Sequence, residues 1–254
     1  MTKWELKGKR ALITGGTRGI GKAIAEEFLA LGAEVIIVAR GGQELDALVR
    51  LWQAEGRAVS GVAADVSKAG DREKIGTAVA ERWGGLEILV NNAGMNIRKK
   101  LAEYEEEEYR LVLEVNLFSA VALCRLCLPF LRRGTGASVV NIASVAGSVD
   151  VQSGAPYGMS KAALIQLNRN LAAEWAEFGI RVNSLSPWYT DTPLVSTVLS
   201  QPERMQRIVE RTPMNRVAQA SEVAGAAAFL AMDKASYITG QNIAIDGGML
   251  VKGL

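Results

Sequence analysis

The sequence predicts an α/β fold: one doubly wound domain, with a seven-stranded parallel sheet and helices on both faces. Three observations predict it. Short apolar runs alternate with longer stretches of helical periodicity along all 254 residues, the rhythm of right-handed βαβ crossovers. Runs such as Glu34-Val35-Ile36-Ile37-Val38-Ala39 are apolar at consecutive positions, as expected of strands buried on both faces. No linker, repeat or low-complexity break divides the chain, so residues 1–254 read as a single Rossmann-type domain.

In order, the first strand is expected at Ala11–Thr14, followed by a glycine-rich turn and a helix over Gly19–Leu31. Strands at Glu34–Ala39 and Ala58–Ala63 are followed by helices at Gln43–Ala54 and Asp71–Trp83. The fourth strand, Leu86–Asn91, leads to a long helix over Glu105–Leu131. Its acidic start, Glu105–Glu108, suits the positive end of the helix dipole. Strands at Ala137–Ala143 and Arg181–Ser184 flank a helix over Gly154–Phe178, and Ser221–Met232 and Asn242–Ile245 supply the last helix and strand. Residues 188–214, with Pro193, Pro202 and Pro213, interrupt the rhythm. They read as an inserted lid, a loop or a pair of short helices, at the strand ends where such sheets bind ligands.

Composition excludes several classes. Lys and Arg total 29 against 27 acidic residues, a net charge of +2, which is no footprint for nucleic acid. The charged stretch Met1–Arg10 lacks the apolar core of a signal peptide. The longest apolar candidate, Ser119–Leu131, is broken by Arg125 and Pro129 and falls short of the ~18 residues of a membrane span. A soluble, cytoplasmic protein without membrane contact is the expectation. Cys124 and Cys127 form a C-x-x-C spacing, but there is no second pair and no histidine. They read as small apolar residues on a buried helix face. Without histidine, a Ser-His-Asp triad is excluded and no metal site is expected, so acid–base chemistry must use another side chain.

Directly after the first strand comes Thr14-Gly15-Gly16-Thr17-Arg18-Gly19-Ile20-Gly21. Its G-x3-G-x-G spacing differs from G-x-G-x-x-G. Between a first strand and a first helix it still provides a sharp turn and a helix N-terminus for a pyrophosphate. The second strand ends Val38-Ala39-Arg40-Gly41-Gly42, with no acid for a ribose hydroxyl. Arg40, with Arg18 in the turn, suits a 2′-phosphate and favours NADP(H). Tyr157 and Lys161 lie four apart on a predicted helix, side-chain neighbours at roughly 5–6 Å between Cβ atoms. A cation near a phenol lowers its pKa from about 10 and makes a proton donor of it. By itself such a pair reads as a solvated helix surface.

Together these stretches resemble the short-chain dehydrogenase/reductase family, over nearly the whole chain. Thr14-Gly-x-x-x-Gly19-Ile-Gly21 looks like the family's cofactor motif, Asp65-Val66 like its adenine-holding pair and Asn91-Asn92-Ala93-Gly94 like its fourth-strand signature. Asn116, Ser144, Tyr157 and Lys161 match its catalytic tetrad in order. The resemblance implies cofactor contacts from Gly15, Thr17, Arg18, Gly19, Ile20, Gly21, Arg40, Asp65, Val66, Asn92, Ala93, Gly94, Tyr157, Lys161, Pro187, Thr190 and Thr192. One departure stands out: Trp188 follows Ser186-Pro187 where the family usually has glycine. It either narrows the site or packs into the lid. Within the family, the chain is most similar to tropinone-reductase-like enzymes.

The resemblance implies reversible reduction of a ketone by NADPH to a secondary alcohol. Tyr157 would be the general acid, Lys161 would lower its pKa, Ser144 would hold the carbonyl oxygen, and Asn116 would anchor a water. Met95, Val145, Val149, Trp188, Tyr189 and Leu194 are the expected substrate wall, with Val195 and Met205 nearby. Asp150 or Asp191 would greet a cationic amino-ketone; with both in solvent, a plain apolar ketone fits equally. A 3-oxoacyl thioester is an alternative that calls for basic residues such as Arg98, Lys99 and Lys100 at the mouth. A catalytically silent nucleotide sensor is the alternative from another class, and the retained Tyr and Lys argue against it. The family also implies a homotetramer, in keeping with the apolar excess of the two long helices.

Overall fold

A computed structural model describes residues 3–253. Seven strands, β1 (Arg10–Thr14), β2 (Glu34–Ala39), β3 (Val59–Ala63), β4 (Ile88–Asn91), β5 (Ser138–Ile142), β6 (Arg181–Pro187) and β7 (Asn242–Ile245), form one sheet in the order 3-2-1-4-5-6-7. Every pair is parallel. Consecutive strand residues face opposite sides of a sheet, and each side carries its own core. Ile13, Ile37, Val90 and Val140 pack with Phe28 and Ala227 on one face. Leu12, Ile36, Leu89 and Val139 pack with Val79, Leu123 and Trp175 on the other. That two-sided burial is why β2 is apolar at consecutive positions from Val35 to Ala39.

The helices α1 (Gly19–Ala30), α2 (Gly42–Ala54) and α3 (Ala69–Arg82) follow the first three strands as expected. The predicted long helix Glu105–Leu131 is instead two α-helices, α4 (Glu106–Leu113) and α5 (Ser119–Leu131), joined without a break by one widened π turn, Glu114–Phe118. Apolar periodicity does not register a wider turn, and such turns cluster at functional sites; this one holds Asn116. By length and composition the continuous helix Glu106–Leu131 is long and apolar enough to cross a membrane. Its buried side, including Leu123, Cys124 and Cys127, packs on the sheet. Burial pushes the Cys124 thiol up to about 12, and Cys127 also upward, so neither is a ready thiolate.

Helix α6 (Ala155–Trp175) ends in a 3₁₀ turn, Ala176–Phe178, close to the predicted limit. Strand β6 continues three residues past its predicted end. The Ser184 and Ser186 hydroxyls donate to Asn242 Oδ1 in β7 at 2.9 and 2.7 Å, so polar side chains sustain a strand that apolar patterning could not trace. The inserted segment resolves into two short helices, α7 (Ser196–Leu199) and α8 (Pro202–Arg211), before α9 (Ala220–Ala231) returns to the sheet. The strand order reverses between β1 and β4, and the crevice beyond their carboxyl ends is where such sheets take ligands.

Candidate active site

The turn after β1 is set by close backbone approach. Gly15 has φ +67°, and a Cβ on Gly21 would lie 2.2 Å from the Gly15 carbonyl oxygen and 2.3 Å from Asn92 Nδ2. No side chain fits there. Gly21 is accordingly buried under the turn and is not on the wall of the cleft. Asn92 ties the turn to β4: its Nδ2 donates to the Thr14 carbonyl at 2.8 Å, and the Thr14 hydroxyl accepts from the Asn92 and Ala93 amides.

A cleft of about 620 Å³ opens over this turn. Gly15, Thr17, Arg18, Gly19, Ile20, Arg40, Asp65, Val66, Asn92, Ala93 and Gly94 line it, with Tyr157, Lys161, Pro187, Thr190 and Thr192 farther along. The residues therefore fit a nicotinamide dinucleotide: a glycine turn and helix N-terminus suited to a pyrophosphate, joined to a second chamber. Arg40 is exposed at the mouth. Burial pushes the Asp65 carboxyl up, but hydrogen bonds from Ser67 and the charge of Arg40 outweigh it and hold it below the usual range. Arg18 is not free. Its guanidinium donates to Glu44 at 2.6–2.9 Å, and Glu44, an acid in the first turn of α2, shares the cleft wall. Glu44 escapes the sequence pattern because it stands in α2, beyond the end of β2 where a ribose-binding acid would be.

The four tetrad positions come from three elements: the π turn (Asn116), the end of β5 (Ser144) and α6 (Tyr157 and Lys161). Ser144 follows β5, and its Oγ accepts from the Ala146 amide at 3.1 Å, which leaves its own proton to donate elsewhere. Tyr157 lies in the first turn of α6 and is half-buried at the cleft wall. The surroundings of its hydroxyl are dry enough that burial raises its pKa, against the opposing pull of the Ser144 hydroxyl and the charge of Arg98. Lys161 is buried, its Nζ donating to the Ile142 carbonyl at 2.8 Å. Burial pushes this ammonium down to about 8. Its Nζ stands 5.7 Å from the Tyr157 ring centre. The charge of Arg98 opposes the rise of the phenol, while the Lys161 ammonium is turned to a backbone carbonyl. Asn116 lies behind the wall, 2 % exposed. It exchanges hydrogen bonds with the backbone of Met95 at 2.8 and 2.9 Å and donates to Ser160 Oγ at 3.1 Å.

The expected substrate wall is found in part. Met95, Trp188, Tyr189 and Leu194 line the cleft. Val145 does not, because it is buried in the 3₁₀ turn Val145–Gly147, and Val149 points into solvent at 44 % exposure. Val151 and Ser153, further along the same loop, take their place, with Asn96, Arg98 and Val115 as additional lining. Asp150 and Asp191 are both exposed and off the wall. Trp188 lines the cleft, and its Nε1 donates to Thr212 Oγ1 in the lid segment at 3.1 Å. It thereby ties β6 to the end of α8. No cluster of three or more His, Cys, Asp or Glu side chains suited to a metal occurs among the described residues.

A parallel doubly wound sheet, a glycine turn at its switch point and a tyrosine–lysine pair in the same cleft define a dinucleotide-binding oxidoreductase architecture. Comparison with known proteins narrows it. Residues 15–250 match the family model described as enoyl-(acyl carrier protein) reductase. A tropinone reductase homolog of Arabidopsis thaliana is 46% identical, over 99% of this chain and 96% of the relative. A tropinone reductase homolog of Datura stramonium is 40% identical, over 99% and 95%. A crystal structure of a gluconate 5-dehydrogenase from Burkholderia cenocepacia in complex with NADP and tartrate superposes with a TM-score of 0.95 at 30% identity, covering 99% of both chains. The chain belongs to the short-chain dehydrogenase/reductase family, whose members are oxidoreductases using nicotinamide cofactors, and it is tropinone-reductase-like within it.

Proposed function

We propose that the protein reduces a ketone to a secondary alcohol, reversibly, with NADPH as reductant. The observation that carries this reading is the continuity of one cleft, from the glycine turn and Arg40 at one end to Ser144, Tyr157 and Lys161 at the other. Bound NADPH would supply the hydride. Arg40, exposed and without an ion-pair partner among the described residues, would take the 2′-phosphate, with Arg18 shared between phosphate and Glu44. The NADP in the solved Burkholderia relative supports the choice.

The remaining work belongs to side chains. A raised phenol pKa keeps the Tyr157 proton in place near neutrality, as a general acid requires. As the carbonyl oxygen gains charge, the Tyr157 O–H bond breaks and a new O–H bond forms on the product alcohol. The Ser144 hydroxyl donates to the same oxygen and stabilises its developing charge. Lys161, its pKa pushed down to about 8 by burial, passes a proton back toward the phenolate. Asn116 clamps residue 95 and so fixes the loop bearing the substrate wall. Because Asp150 and Asp191 face solvent, the wall offers no carboxylate to a cationic amino-ketone beyond Glu44 and Asp65 at the cofactor end. A neutral or anionic ketone suits it better.

We further propose a cytoplasmic homotetramer. Leu111, Phe118 and Met159 on α4, the π turn and α6 are 44–58 % exposed, an apolar face suited to a second copy. To test the activity, NADPH consumption is followed with a panel of ketones. Tyr157→Phe is expected to lower kcat about 10²–10⁴-fold while NADPH affinity is kept. Retained turnover in that variant overturns the assignment.

A further inference from the structure

We infer that Arg98 is an anion-recognising residue of the substrate chamber, so that the ketone this enzyme takes carries a carboxylate or an equivalent anion. The inference rests on the ketone-reductase reading of the cleft and adds the substrate's charge to it. Arg98-Lys99-Lys100 reads in sequence as one solvated basic run, but the structure divides it. Lys99 is exposed and its Nζ donates to Glu108 at 2.6 and 2.7 Å. Lys100 is exposed and does not line the cleft. Arg98 alone turns inward, onto the same wall as Tyr157 and Ser144.

It is held there. Asn116 grips the backbone of Met95 from one side. On the other, Asn96 Nδ2 donates to the Ser153 carbonyl at 3.0 Å and the Tyr104 hydroxyl donates to the Ile97 carbonyl. A clamped loop therefore presents the guanidinium to the chamber. Yet Arg98 has no ion pair and makes no side-chain hydrogen bond among the described residues, and its Nε is buried without a partner. A guanidinium carries five donors and no acceptor, and leaving a charged donor dry and unpaired is unfavourable. The acids of the cleft do not relieve it. Glu44 is engaged by Arg18 and Asp65 by Ser67, both at the cofactor end. Of the other cations of the cleft, Arg18 and Arg40 stand at the cofactor end, and Lys161 is satisfied by the Ile142 carbonyl. What is missing is an anion, and planar carboxylates match this fork. Because Arg98 lines the same cleft as Tyr157 and Ser144, the anion belongs on the same small molecule as the carbonyl that Tyr157 protonates.

The test separates binding from turnover. Protein loaded with NADP+ is titrated by calorimetry with cyclohexanecarboxylate and with cyclohexanecarboxamide, neither of which can be reduced. The carboxylate is expected to bind about ten- to a hundredfold tighter, the worth of hydrogen bonds to a charged group. Arg98→Gln should erase that preference, and Arg98→Lys should keep part of it. Equal affinity for the two probes, no binding of either, or a preference that survives Arg98→Gln overturns the inference. In parallel, kcat/KM is measured for 4-oxocyclohexanecarboxylate and its methyl ester. The ratio should fall with the same variant, chiefly through KM. Failure of both ketones to consume NADPH counts against the ketone reading, and the calorimetry still decides Arg98.

Discussion

The two ends of the cleft are built on opposite principles. At the cofactor end, the wall is backbone packed at contact distance: the turn of Gly15–Gly21 is closed against Asn92 and leaves no room for a single added carbon. At the substrate end, α7 and α8 ride on the surface, with only Val198 and Ile208 buried in them. Their far side is held by a few scattered hydrogen bonds, from the Trp188 indole to Thr212, the Met214 amide to the Gly247 carbonyl and the Lys252 ammonium to the Glu210 carbonyl. The first is over-determined, the second barely fastened. The contrast teaches that the architecture commits its packing to the shared chemistry and leaves the choice of substrate to a segment that can change without unfolding the sheet.

Substitutions on either side of that divide test it, and the largest effect belongs to the tight end. Gly21→Ala sets a methyl group 2.2 Å from a carbonyl oxygen and should destabilise the whole domain by about 3 kcal/mol or more, read as a lower urea midpoint. A variant as stable as the parent shows the turn to be more yielding than its geometry. Next in size is Arg40→Asp, at the mouth of the same end. The ratio of kcat/KM for NADPH over NADH should fall about ten- to a hundredfold, in line with the loss of a charge-assisted contact and its replacement by repulsion. An unchanged ratio removes Arg40 from the phosphate site. The smallest effect is expected at the loose end. Trp188→Phe keeps an aromatic ring on the wall but deletes the bond to Thr212 and should cost about 1 kcal/mol. It should appear as faster proteolysis of residues 188–214 and a KM raised a few-fold, with the urea midpoint of the sheet nearly unmoved. A loss as large as that of Gly21→Ala shows the lid to be part of the core.

How much was legible in advance follows the same divide. The seven strands, the glycine turn and the Tyr157–Lys161 spacing were readable because each depends on local pattern: period, turn chemistry, or four residues along one helix. Asn116 and Ser144 stood out only through the family resemblance. The π turn at Asn116 was not, since a widened turn leaves the apolar pattern intact. Nor were the pairing of Arg18 with Glu44 across 26 positions or the displacement of Val145 and Val149 by Val151 and Ser153, all of which depend on how one loop leans on another.

By itself, then, the order of amino acids determined the parallel sheet and the place of the crevice, because burial on both faces and close backbone approach restrict which residues are tolerated. Only the folded chain decided charge in the substrate chamber: which of three adjacent cations turns inward, and that both nearby aspartates turn out. A charge acts through the distance and dielectric around it, and neither quantity exists until distant segments have packed.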